Sequence, residues 1–228
     1  MAGRLHIADL ALNTLVPSLQ RDQPLRTSPN RAPRHPLSAI RRENGTPRLV
    51  TLFWGLTPPW LKVLDHAPHC ARAESLDERP MFRDAFAARR CVVPVSGIYA
   101  WRPQPRMKQP YLITRADRGP LLLAALWCRY HTTLTTWTDS TALITVATSP
   151  LLSPLTDRLP ALIAAEDLAT WLDPDTPLTT ARGLLKPAPV ELLGAFPVSR
   201  QVNDPSNQDW ACGRPTGRML RWDPEQER

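Results

Sequence analysis

The chain has 228 residues, a net charge of +7 and 43% hydrophobic residues, enough for one substantial core and short for two. No apolar run reaches the length of a membrane span, and the first residues lack the charged-then-apolar layout of a secretory signal. A chain that stays in the cytoplasm, away from membranes, is therefore expected. The four cysteines are widely spaced and form no C-x-x-C pair, which argues for a reduced compartment; neither a metal nor a cofactor is expected.

In chain order, residues 7–19 carry apolar positions at Leu10, Leu12, Leu15, Val16 and Leu19, which predicts an amphipathic helix stopped near Pro17. Residues 21–36 are polar and proline-rich and read as loop. Asn44-Gly45 is a tight-turn dipeptide between a weak strand over 37–41 and a stronger one over 49–54. Residues 55–69 hold three prolines and Trp60 and read as irregular. A short helix over 80–89 precedes a strand over 91–95, and further strands are predicted over 111–115, 121–130 and 142–147. Residues 164–172 predict a short helix with Glu166 and Asp167 in its first turn, and residues 183–193 another. From Asn203 onwards the chain is polar, with little to pack except Trp210 and Trp222, and disorder is expected at its end. Strands outnumber helices, and 26 prolines argue against a long-helix bundle. The pattern predicts an α+β domain with a curved, mostly antiparallel β-sheet core and short flanking helices, without internal repeats.

All but three of the 28 basic residues are arginine; the lysines are Lys62, Lys108 and Lys186. A guanidinium fork suits phosphate oxygens and stacks on bases, which makes nucleic acid a natural partner. An arginine-biased coding composition accounts for the same charge equally well, so charge alone leaves the partner open.

Four short frames carry more information. They are Met1-Ala2-Gly3-Arg4, Cys70-Ala71-Arg72-Ala73-Glu74, Gly97-Ile98-Tyr99-Ala100-Trp101 and Thr156-Asp157-Arg158-Leu159-Pro160. Together they resemble the SRAP family (SOS-response-associated peptidase), whose members shield abasic sites in single-stranded DNA. There the frames read Met-Cys-Gly-Arg, Asn-Ala-Arg-x-Glu, Gly-[aromatic]-[aromatic]-Glu-Trp and His-x-Arg-x-Pro. Further similar segments are Asn30 in Pro29-Asn30-Arg31-Ala32-Pro33, Trp54-Gly55-Leu56-Thr57-Pro58-Pro59-Trp60, Arg89-Arg90-Cys91-Val92-Val93-Pro94, Lys108-Gln109-Pro110-Tyr111, Pro197-Val198-Ser199-Arg200 and Asn207-Gln208. The resemblance thus implies a single SRAP-like domain over 1–208, followed by a polar C-terminal tail over 209–228.

It also implies where chemistry has been lost. Ala2 stands where the family has its nucleophilic Cys, Cys70 where it has Asn, Ala100 where it has the catalytic Glu, and Thr156 where it has His. The family's stable thiazolidine crosslink needs both the amine and the thiol of that Cys, and its removal of the initiating Met needs the thiol; Ala2 supplies neither step. The lost Glu and His would move protons, assistance typically worth about 10²–10⁴ in rate. Glu74 survives, and an ion pair from it to Arg72 is expected. Arg4, Asn30, Arg72 and Arg158 match positions that line the family's DNA cleft. Trp60, flanked by prolines, matches a wedge against bases and is expected to be exposed, whereas Trp54, Trp101 and Trp127 read as core.

These readings favour a single-stranded DNA-binding monomer of the abasic-site or damage-response type, without the family's covalent crosslink. Two other classes stay open. In one, an exposed Ala2 amine forms an imine with abasic DNA, with Cys70 adding as a thiolate whose pKa Arg4 or Arg72 would have to lower. In the other, the domain is a non-catalytic module that docks a repair protein.

Overall fold

Asn44 and Gly45 both adopt positive φ, 48° and 82°, the two-residue turn whose twist matches that of paired strands. The computed structural model, which describes residues 3–62, 67–105 and 107–221, builds its main sheet outward from that hairpin. Among the described residues the first half of the chain forms β1 (Leu5–Ile7), α1 (Leu12–Leu15), β2 (Gln20–Arg21), β3 (Ser28–Arg31), β4 (Pro36–Glu43), β5 (Thr46–Trp54), β6 (Cys70–Arg72), α2 (Pro80–Ala88) and β7 (Arg90–Val95). The second half adds β8 (Gly97–Gln104), β9 (Met107–Arg115), β10 (Leu121–His131), β11 (Trp137–Ala147), β12 (Arg158–Pro160), α3 (Leu168–Leu172), α4 (Leu178–Gly183), β13 (Leu193–Pro197) and β14 (Leu220–Arg221).

Strands β11, β10, β7, β4 and β5 run side by side, and β5 pairs back to β11 at Phe53↔Ser140 and Trp54↔Thr141, so the five close into a ring. Closure removes the exposed edges that an open sheet would present. The interior is apolar: Ile40, Leu52, Trp54, Val93, Leu126 and Ile144 are fully buried. A second, wholly antiparallel sheet has the order β14-β13-β9-β8-β1-β3. The architecture is thus the α+β, mostly antiparallel domain that the strand pattern predicts.

Buried cations seal the ring. Arg90 donates to Phe86 O, Ala87 O, Trp171 O and Asp173 O, so one guanidinium satisfies carbonyls at the C-terminal ends of both α2 and α3. Arg41 donates to Glu43 and Asp139 and lies 4.0 Å from the Trp127 ring centroid.

Several elements differ from the sequence-based expectation. The helix expected over 7–19 shrinks to the single turn of α1, because its apolar side chains face the core individually and Pro17 offers no N–H to continue it. The loop expected over 21–36 contains β3, whose Pro29 is tolerated because β3 is the outermost strand of its sheet. The helix expected over 183–193 lies earlier, as α4, and ends at Gly183 before Pro187 and Pro189. Trp127 is half-buried beneath Arg41 rather than in the core. After Asn203 the chain packs more than its polarity suggests: Cys212 is fully buried and β14 pairs with β13. Trp222 and the end of the chain lie outside the described residues. Among the described residues, no helix is long and apolar enough to cross a membrane, and no cluster of three or more His, Cys, Asp or Glu could hold a metal ion.

Candidate functional site

The two sheets bring the sequence frames together. Leu5 of β1 pairs with Ile98 of β8, and Tyr99 N–H donates to Arg4 O, which sets the first frame beside the third. On the ring, the far end of β11 is flanked by β6, through Thr145↔Arg72, and by β12, through Ala147↔Arg158, which gathers the second and fourth. Between them lies a cavity of about 720 Å³ lined by Arg4, Tyr99, Ala100, Trp101, Lys108, Thr156, Arg158 and Arg200, among others. Among its described lining residues four are cationic, Arg158 of them in an ion pair with Glu74, and none is a carboxylate. Low-dielectric walls of one charge sign concentrate an opposite charge, so the cavity favours anions.

Each residue is held for a physical reason. The Arg4 guanidinium donates to Asn30 Oδ1 at 2.8 Å and Val202 O at 2.7 Å. Burial pulls its pKa down, while Tyr99, Asp204 and Cys212 act in the opposite direction. Arg158 donates to both Glu74 oxygens, at 3.0 and 2.7 Å, and to Thr145 O at 2.6 Å. Hydrogen bonding from Arg158 is the main reason that the Glu74 carboxyl lies below its ordinary pKa. The expected ion pair is therefore made to Arg158, not to Arg72. Arg72 is exposed at the end of β6.

At two of the positions expected to depart from the family pattern, Ala100 and Thr156, no side chain titrates. Ala100 is buried on β8 opposite Tyr111 of β9. Thr156 lines the cavity, but its hydroxyl donates to Arg158 O at 2.9 Å. Cys70 is half-buried at the start of β6, opposite Leu143, and burial pushes its thiol up to about 12. That direction is opposite to the lowered thiol pKa that thiolate addition would need. Ala2 lies outside the described residues.

Two DNA-cleft expectations change in character. Asn30 is fully buried; its amide donates to Val202 O, Asp204 O and Asn207 O while its oxygen accepts from Arg4. It braces Arg4 and the 202–207 segment and presents no surface to a ligand. Trp60 is 52% exposed, as its proline flanks suggest, on a segment anchored by Thr57 N–H donating to Ser140 Oγ and Leu56 N–H to Pro68 O. It is not among the residues lining the cavity.

Trp101, expected in the core, is half-buried and forms part of the cavity wall, its indole N–H donating to Asn203 Oδ1 at 2.8 Å. Lys108 and Arg200 are exposed lining cations to which the sequence motifs assign no role. Their signal in the sequence was weak: one of only three lysines, and an arginine closing a short proline-led segment.

A five-strand ring, a second antiparallel sheet and three of these frames lining one cavity, with the fourth joined to it through the Glu74–Arg158 ion pair, define an SRAP-type domain. The family described as SOS response associated peptidase (SRAP) matches residues 1–205, and the chain belongs to it. It is 32% identical over 182 residues to the abasic site processing protein YoqW of Bacillus subtilis, covering 78% of this chain and 81% of that one. It is 26% identical over 206 residues to the abasic site processing protein YedK of Escherichia coli, covering 86% and 90%. A solved structure of a Bacteroides thetaiotaomicron protein superposes with a TM-score of 0.83 at 22% identity, covering 93% of this chain and 99% of that one, which shows the shared fold.

Proposed function

We propose that this domain binds single-stranded DNA non-covalently, as a monomer in the cytoplasm, in the abasic-site and damage-response setting of its relatives. The supporting observation is the cavity itself: among the described residues, the exposed cations Lys108 and Arg200 and an indole line it with no carboxylate, while Ala100 and Thr156 contribute nothing that titrates. Arg4 and Arg158 are tied to protein partners, so phosphate contact falls chiefly to the exposed Lys108, Arg200 and Arg72, with Trp60 available for stacking. Three phosphate contacts on a single strand give a slope of about −2 in log affinity against log salt, or roughly twentyfold weakening for a fourfold rise in salt. Trapping of an Ala2 imine as an N,S-acetal is disfavoured because burial raises the pKa of the Cys70 thiol, which leaves any imine open to hydrolysis.

The test is incubation with single-stranded DNA carrying one abasic site, with and without borohydride, on a denaturing gel, alongside a native-gel salt series. Salt-steep binding and no covalent band in either lane are expected. A covalent band without reductant would overturn the non-covalent reading, and a change of less than about twofold across the salt series would overturn the DNA reading.

A further inference from the structure

Ala100 and Thr156 offer the cavity a methyl group and a hydroxyl already committed to Arg158 O. A ring-opened abasic sugar would find no thiol at position 2 and no acid or base at positions 100 and 156. The cavity, at about 720 Å³, also falls within the ~300–1,000 Å³ of small-molecule sites and has room for a group larger than a sugar. The lining is instead matched to a larger group. Trp101 supplies an aromatic wall whose ring is fixed by its hydrogen bond to Asn203, with the Arg4 guanidinium carbon 5.8 Å from the ring centroid. Lys108 and Arg200 stand exposed on the same cavity, Arg200 donating from Nη1 to Met107 Sδ, and no carboxylate is among the described lining residues.

We infer that this cavity takes one intact nucleoside phosphate of the bound strand, its base against Trp101 and its phosphate on Lys108 and Arg200. The inference rests on the proposed single-strand binding and inverts its lesion preference: an abasic position, lacking the base, is the poorer occupant. Moving a base out of the strand's stack costs least in single-stranded DNA, and an aromatic wall offsets that cost.

The test uses a short oligonucleotide that fills the cleft in one register. Its central position is either 2-aminopurine or the abasic analogue tetrahydrofuran. The 2-aminopurine strand should bind roughly tenfold more tightly than the tetrahydrofuran strand, with its fluorescence quenched on binding. Trp101→Ala should abolish that preference, and Trp101→Phe, which keeps a ring and reports on folding, should retain most of it. Lys108→Glu, at an exposed position, should weaken both strands alike.

Equal or tighter binding of the tetrahydrofuran strand, or unchanged 2-aminopurine fluorescence, overturns the inference and leaves single-strand binding standing. No binding of either strand overturns both. The free 2-aminopurine deoxynucleoside monophosphate distinguishes the source of the ligand: quenching by the strand alone supports a strand nucleotide. Quenching by the free nucleotide at the same concentration overturns that source while supporting the pocket's chemistry.

Discussion

Replacing Asn30 with Ala tests whether that residue acts by holding the site together or by touching ligand. Its side chain is fully buried and makes two kinds of bond. Oδ1 accepts from the charged Arg4 at 2.8 Å, a bond worth about 1.5–3 kcal/mol. The amide group has two hydrogens to share among Val202 O at 3.2 Å, Asp204 O at 2.8 Å and Asn207 O at 3.0 Å, worth about 1 kcal/mol for each bond well made. Removing all of them should cost about 3–5 kcal/mol, because Arg4 stays half-buried with one acceptor fewer. For a chain of this size that corresponds to a fall in Tm of about 6–20 °C, read by thermal denaturation followed by circular dichroism. Asn30→Asp keeps the acceptor for Arg4 but turns a carboxylate toward three carbonyl oxygens, and it too should lower Tm. If Asn30→Ala left Tm within about 2 °C of the parent while reducing DNA affinity, the bracing argument would fail and a ligand contact would replace it.

Two further perturbations follow from the ion pair and the buried imidazole. Glu74→Gln should release Arg158 toward phosphate, tightening single-strand binding a few-fold and steepening the salt slope by about 0.7; an unchanged slope in a salt titration would refute the competition. Because the Glu74 pKa is depressed, its pairing is complete above the ordinary carboxylate value and is lost as pH falls through the lowered one, so acidification should move the wild-type slope toward that of Glu74→Gln. His6 packs edge-on against Tyr99 and Trp210, and burial lowers its pKa to about 4. Near neutral pH it therefore adds no pH dependence; between about 6.5 and 4 the unfolded chain takes up a proton that the folded one refuses, and stability falls. His6→Phe should flatten that limb by about 1–3 kcal/mol in denaturant melts, and an identical acid limb in the variant would place the titration elsewhere.

What was legible in the sequence was what is local. The β4–β5 hairpin announces itself in Asn44-Gly45, α2 begins on Pro80 at its first turn, and β7 reads as an unbroken buried run. The frames also located the cavity, since Arg4, Ala100, Thr156 and Arg158 all line it. The remainder depends on pairings between distant segments, which no window of sequence contains. β1 and β3 are short strands whose only reason to extend is each other and β8, and ring closure rests on Trp54 meeting Thr141. The exchange of Arg72 for Arg158 as the partner of Glu74 is of the same kind, because it follows from β6 and β12 flanking one end of β11. Trp101 was misplaced because an indole reads as core by composition, whereas its N–H bond to Asn203 holds it at the cavity wall.

The frame residues expected to match the family pattern and those expected to depart from it differ in what they hold up. Arg4 ties β1 to Asn30 and the 202–207 segment, and Arg158 ties β12 to Glu74 and β11; deleting either would strand buried or half-buried polar partners. Gly97 is equally constrained, since a Cβ there would lie 2.8 Å from Ile113 O. Ala100 and Thr156 are different: the Thr156 hydroxyl bonds only to the Arg158 backbone two residues on, Ala100 offers a methyl group, and neither has a positive φ. Retention of Arg4 and Arg158 is thus accounted for by folding alone, and carries no weight as a sign of DNA binding. The weight shifts to Lys108, Arg200 and Arg72, exposed cations whose one side-chain hydrogen bond among the described residues is the weak one from Arg200 Nη1 to Met107 Sδ. The sharpest contrast is therefore a triple charge removal at those three positions, two on the cavity wall and Arg72 at the end of β6, which should leave Tm nearly unchanged and erase the salt-dependent affinity if they contact phosphate.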